Sequence, residues 1–103
     1  MVEVIWTDSA LQDLDDIGEY ISRDSVRYAE ITVELLFSSV DILEDHPKAG
    51  RMVPEFEIQS LRELIQGNYR IVYQIVDDHL IQIIAVHHAA RLLGNAINLL
   101  DIE

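Results

Sequence analysis

The period of the apolar residues changes once along the chain, near His46-Pro47, and that change restricts the fold more than any other feature. Before it, Ala10, Leu14, Ile17 and Ile21 recur at helical spacing, and Ala29, Val33, Leu36, Val40 and Leu43 continue the same stripe for about five turns. After it, Leu61 to Gln66, Tyr69 to Val76 and Leu80 to His88 read as strands, with Gly67-Asn68 a hairpin turn between the first two. A short strand over residues 2–7 precedes the helices. Ser9 with Gln12 has capping-box spacing at the start of a helix over 9–22. The segment Arg51 to Glu57 is short and extended, with Pro54 suited to an edge. From Arg91 onward the pattern suggests a short terminal helix.

The predicted order is β-α-α-β-β-β. Helices followed by strands imply an α+β fold, a small antiparallel sheet with a two-helix hairpin packed on one face. At 103 residues, half of them apolar, the chain is expected to be a single domain, 1–103, with a core of its own.

Alternation along the last two strands sorts side chains onto two faces. Tyr69, Ile71, Tyr73 and Ile75 share one parity with Ile81, Ile83, Ala85 and His87, and this nearly all-apolar set is expected to meet the helices. Arg70, Val72, Gln74 and Val76 share the other with Leu80, Gln82, Ile84, Val86 and His88. A three-residue loop over 77–79, with Gln74 beside Gln82, keeps these sets on opposite faces. The second face then lies open and half apolar, and a patch of that kind marks a partner site. Its expected contacts are Val72, Gln74, Val76, Leu80, Gln82, Ile84 and Val86, joined by Arg62 and Arg91.

The charge narrows the choice of partner. There are 19 acidic and 7 basic residues, a formal net charge of −12. Residues 1–50 carry 12 acids and 3 bases, residues 51–103 carry 7 and 4. Such a field disfavours broad binding of nucleic acid. The chain has no cysteine, which removes disulfides and thiolate metal sites. Its start lacks the basic and apolar regions of a secretion signal, and no apolar run is long enough for a bilayer, so a soluble cytoplasmic protein is expected.

His87 and His88 are adjacent in a strand and point to opposite faces, so they are poorly placed to share a metal. No metal-binding motif is present, and neither a metal nor another cofactor is expected. Metal-free phosphodiester cleavage needs a base for the 2′-hydroxyl, an acid for the leaving oxygen and a cation for the phosphorane. Glu55, His88 and Arg70 are residues of those types, drawn from three segments. Arg62, Glu63 and Arg70 also suit plain cross-strand ion pairs.

Taken in order, Ile5-Trp6-Thr7, Ala10…Asp13-Leu14…Ile17…Tyr20-Ile21, His46-Pro47…Gly50-Arg51…Val53-Pro54-Glu55, Arg62-Glu63, Tyr69-Arg70-Ile71-Val72-Tyr73, Val86-His87-His88 and Arg91-Leu92 resemble the ParE/RelE superfamily of bacterial toxins. The resemblance covers nearly the whole chain, with Gly50-Arg51…Pro54-Glu55, Arg62-Glu63 and Arg91 nearer the ParE side. It implies the toxin of a type II toxin–antitoxin, or plasmid-stabilisation, module. ParE-like members poison DNA gyrase without being enzymes. RelE-like members cleave mRNA in the ribosome, and one such group uses positions matching Glu55, Arg70 and His88 as acid/base, phosphate clamp and acid/base. The implied partner is an antitoxin whose C-terminal segment wraps the toxin, in a homodimer or a heterotetramer. A non-toxic member kept as a binding module is the third possibility.

Overall fold

Thr7 is where extended backbone turns into helix. Its N–H and its hydroxyl both donate to the carbonyl of Ile83, at 3.0 and 2.8 Å. The same hydroxyl oxygen accepts from Ala10 N–H at 3.2 Å and so caps the helix. One side chain thus closes strand β1 (Glu3–Trp6), starts helix α1 (Asp8–Ser22) and ties both to the last strand. The expected Ser9–Gln12 box does not form, because the helix begins one residue earlier and places Ser9 inside it. Gln12 instead donates to Asp16, one turn on, at 3.0 Å.

The computed structural model describes residues 1–89, so the predicted terminal helix and Arg91 lie outside the described residues. Helix α2 (Val26–Ser38) is capped by Ser25, whose oxygen accepts from Tyr28 N–H at 3.1 Å. The apolar stripe runs on to Leu43 as predicted, but the backbone tightens into a 3-10 helix over Ser39–Glu44. Ser38 and Ser39 stand at the change, and their hydroxyls donate back to the carbonyls of Leu35 and Leu36 at 3.3 and 2.7 Å, competing with the α-helical ladder.

The remaining strands are β2 (Arg51–Met52), β3 (Leu61–Gln66), β4 (Tyr69–Ile75) and β5 (Leu80–His88). They form one five-stranded sheet in the order β1-β5-β4-β3-β2. All neighbours are antiparallel except β1, which runs parallel to β5, so the sheet is mixed. The β3–β4 turn uses the left-handed backbone of Gly67 (φ 59°). Ala10, Leu14, Leu36, Val40 and Leu43 from the helical layer meet Ile71, Tyr73, Ile81, Ile83 and Val86 from the sheet in the main core.

Gln74 pairs with Gln82 as predicted, but the alternation does not hold along all of β5. Tyr73 lies opposite Ile83 and Val72 opposite Ala85, so Ile84 is an extra residue in a β-bulge. The bulge exchanges the faces beyond it. Val86 turns into the core beneath the helices, and Ala85 joins Val53, Leu61 and Val72 on the other side. His87 comes opposite Arg70, and His88 opposite Tyr69. The placement of Val86 and His88 on the face of Arg70 is therefore corrected.

That second face is also less open than predicted. The connection from β2 to β3 folds over it, with Val53 and Leu61 fully buried against Val72 and with Phe56 and Ile84 half-buried beside them. Gln74 is 7% exposed, Leu80, Gln82 and Ile84 are half-buried, and only Val76 of the expected sheet contacts remains exposed.

Candidate functional site

Arg70 is the most tightly engaged charged residue described. Pairing sets Ile65 of β3 opposite it, which brings Glu63, two residues earlier on the same face, to the diagonal position. Arg70 Nε donates to Glu63 Oε2 at 2.7 Å and Nη2 donates to Glu63 Oε1. From the other side, Nη1 and Nη2 donate to the two oxygens of Glu55, each at 2.7 Å.

Glu55 is delivered by the turn after Val53, whose carbonyl accepts from Phe56 and Glu57 N–H at 3.2 and 3.1 Å. Glu57 takes a left-handed conformation there (φ 52°). Side-chain exposure is 6% for Arg70, 0% for Glu63 and 21% for Glu55. Arg51, opposite Glu63 on β2, adds an exposed guanidinium 3.6 Å from Glu63 Oε2. The hydrogen bonds from Glu55, then those from Glu63, hold the Arg70 guanidinium even more firmly charged than usual.

The guanidinium is thus clamped bidentately from both sides, and a phosphate could reach it only by displacing a carboxylate. His88 is exposed on the opposite face, with its ring edge-on to Tyr69 at 5.9 Å. The structure therefore brings Glu55 and Arg70 together and leaves His88 apart. Glu63 and Arg70 form a cross-strand ion pair of the kind the sequence suggested for Arg62, Glu63 and Arg70, and Glu55 joins it as the second clamp. Arg62 is a structural tie instead, donating to the carbonyls of Gly50 and Gln59 at 2.9 and 3.2 Å. No cluster of His, Asp and Glu suited to a metal is present among the described residues.

Two further features were not legible. The fully buried Tyr73 donates to the carbonyl of Pro47 at 2.8 Å and accepts from Gly50 N–H at 2.9 Å, locking the turn that leads into β2. Burial pushes its phenol above the usual 10.0. A cleft of about 740 Å³ also runs between α1 and α2, floored by apolar side chains and edged by carboxylates. The signal for it was present in the small residues Gly18 and Ala29 on facing helices, while the carboxylates read simply as solvated faces.

Residues 4–93 match the family described as ParE toxin of type II toxin–antitoxin system, parDE. The protein named toxin RelE2 from Caulobacter vibrioides is 35% identical over 92 residues, 89% of this chain and 100% of that protein. A chain from the chromosomal ParDE TA system of P. aeruginosa shares the fold with a TM-score of 0.71 at 23% identity, covering 85% of this chain and 96% of that one. A chain from the toxin–antitoxin complex RelBE2 of Mycobacterium tuberculosis gives 0.57 at 26% identity, covering 84% and 96%.

Proposed function

This chain belongs to the ParE toxin family of type II toxin–antitoxin systems, and on that footing we propose that it poisons a protein target, DNA gyrase, and is held in check by an antitoxin in the cytoplasm. The observation that carries the proposal is the clamping of Arg70 between Glu55 and Glu63 with His88 on the far face. A ribonuclease of the kind considered above needs that arginine turned toward a phosphate and both acid/base groups beside it. Here the arginine is a packing element. The net charge of −12 adds to this, because it opposes approach to ribosomal RNA and mRNA.

An antitoxin partner is supported by the two structural neighbours, one from a ParDE system and one from a RelBE2 complex. It is supported equally by the exposed apolar residues of the helical layer, among them Leu11, Val26, Tyr28, Ile31, Leu35 and Phe37. No helix among the described residues is long and apolar enough to cross a membrane.

The second reading, mRNA cleavage, draws on the relative named RelE2. A direct assay separates the two. Purified chain added to gyrase and relaxed plasmid is expected to suppress supercoiling and accumulate cleaved DNA. Unaffected gyrase together with cleavage of ribosome-bound mRNA would overturn the proposal.

A further inference from the structure

We infer that the end of the molecule formed by the α1–α2 turn and the start of β4 grips an acidic segment of the toxin's target protein. The inference rests on the proposed poisoning of gyrase and adds the surface that makes the contact. Three tyrosines from three elements meet at this end. Tyr20 of α1 and Tyr28 of α2 are the two most exposed tyrosines described, at 69% and 61%. The Arg23 guanidinium lies over the Tyr20 ring, 5.7 Å from its centre. Tyr69 opens β4 and meets His88 edge-on. Burial, and then the neighbouring phenols of Tyr28 and Tyr20, push the Tyr69 phenol above its usual 10.0. Tyrosine and arginine are the residue types that carry most binding energy at protein interfaces.

Charge sets this end apart from the rest of the helical half. Residues 20–28 carry two arginines and one acid, Asp24, whereas the remainder of residues 1–50 carries one base and 11 acids. Arg23 and Arg27 are exposed, and neither forms an ion pair among the described residues. Even Glu19, one helical turn before Arg23, does not pair with it. In a chain of 19 carboxylate side chains, two guanidinium groups are left to a carboxylate that a partner brings. A single strand of nucleic acid also stacks on tyrosine and pairs with arginine. Its charge continues beyond the patch, into the field of a −12 chain, while a few carboxylates within a Debye length of about 8 Å meet only the local positive surface.

The surface is held stiffly. The N–H groups of Asp24 and Ser25 both donate to the carbonyl of Ile21 at 3.0 Å, and the Ser25 hydroxyl accepts from Tyr28 N–H at 3.1 Å. The turn that carries Arg23 and Arg27 is thus closed by hydrogen bonds before any partner arrives, which lowers the ordering cost of binding. None of Tyr20, Arg23, Arg27, Tyr28 and Tyr69 lines the cleft between α1 and α2. Of the exposed side chains of the helical layer, Tyr28 therefore belongs to this end rather than to the cleft.

The test is calorimetric titration of the full chain with purified gyrase, and separately with the full-length antitoxin encoded beside it. Wild type is compared with Arg23→Ala/Arg27→Ala and with Tyr20→Ala/Tyr28→Ala. A control, Lys48→Glu, makes the same net charge change as the arginine variant at an exposed residue in the turn before β2. Both variants of this end are expected to bind gyrase about 10-fold more weakly or worse, the arginine variant with a flatter dependence on salt. Both should bind antitoxin within about 3-fold of wild type, and the control should stay within about 3-fold for gyrase and antitoxin alike. Circular dichroism confirms that all three fold. Undiminished gyrase binding in the variants of this end, or an equal loss in Lys48→Glu, would overturn the inference while leaving the gyrase proposal intact. An equal loss of antitoxin binding would assign this end to the antitoxin instead. Binding of a short single-stranded oligonucleotide by wild type, lost in both variants, would assign it to nucleic acid. No binding of gyrase by wild type would refute the gyrase proposal, and this inference with it.

Discussion

The carboxylate of Asp13 in α1 accepts the backbone N–H of Val86 in β5 at 2.9 Å, across 73 residues of sequence. Strand β1 accompanies β5 only as far as Ile83, and the bulge at Ile84 follows immediately. Beyond that point, among the described residues, the edge of β5 has no strand beside it on the β1 side, and a helix side chain serves as the acceptor. Asp13→Ala removes a charge-assisted bond and strands a part-buried N–H, so it is expected to cost about 1.5–3 kcal/mol. Asp13→Asn keeps an acceptor and should lose less. Urea denaturation measures both, and hydrogen exchange should show faster exchange at the Val86 amide.

Arg70 is predicted to matter for folding before anything else. Arg70→Ala leaves Glu63 buried opposite no guanidinium except the exposed Arg51, and a loss of about 3–5 kcal/mol is expected. Arg70→Lys should recover little, since an ammonium cannot bridge two bidentate carboxylates. Any loss of toxicity in these variants should track the unfolded fraction seen by circular dichroism. His88→Ala, on the other face, should leave both stability and toxicity nearly unchanged.

Tyr73→Phe removes one hydroxyl that serves two partners, the Pro47 carbonyl and the Gly50 N–H. Each polar group left buried and unmet costs about 1–3 kcal/mol, so a loss of at least ~2 kcal/mol is expected. The same residue predicts an alkaline limit. Burial raises its folded pKa above the unfolded value of 10.0. Its contribution is therefore complete below pH 10 and falls as pH rises through the folded pKa. Tyr73→Phe should lower stability at neutral pH and flatten this alkaline decline, which urea titrations at stepped pH would reveal.

Gly50 admits no side chain. A Cβ there would strike the carbonyl oxygen of Glu63 and lie 2.8 Å from both Cε1 and Oη of Tyr73. Gly50→Ala must push β2 away from β3 or displace the tyrosine. A loss of about 1–3 kcal/mol is expected, visible as a lowered Tm.

Much of the fold was legible because it is local. The periods of α1 and α2, the Gly67 turn and the Gln74–Gln82 register follow from neighbouring residues and loop parity. The bulge at Ile84 was not, because Leu80 to His88 alternates as well with it as without it, and only the end of β1 and the acceptor Asp13 favour it. That one residue decides which histidine faces Arg70, and so the candidate site was legible in part. Glu55 and Arg70 were picked by residue type and do meet. That Glu63 closes the same clamp agrees with the cross-strand ion pairing read for Arg62, Glu63 and Arg70, whereas Tyr73 depends on a turn more than twenty positions away and is not written in a local pattern.

The most direct test of the central claim is DNA and protein labelling after induced expression in a bacterial host lacking the antitoxin, with a DNA-damage reporter. Early arrest of DNA synthesis with reporter induction, retained in His88→Ala, is the predicted result. Early arrest of protein synthesis over an intact chromosome, abolished by His88→Ala in a chain that still folds, would contradict it.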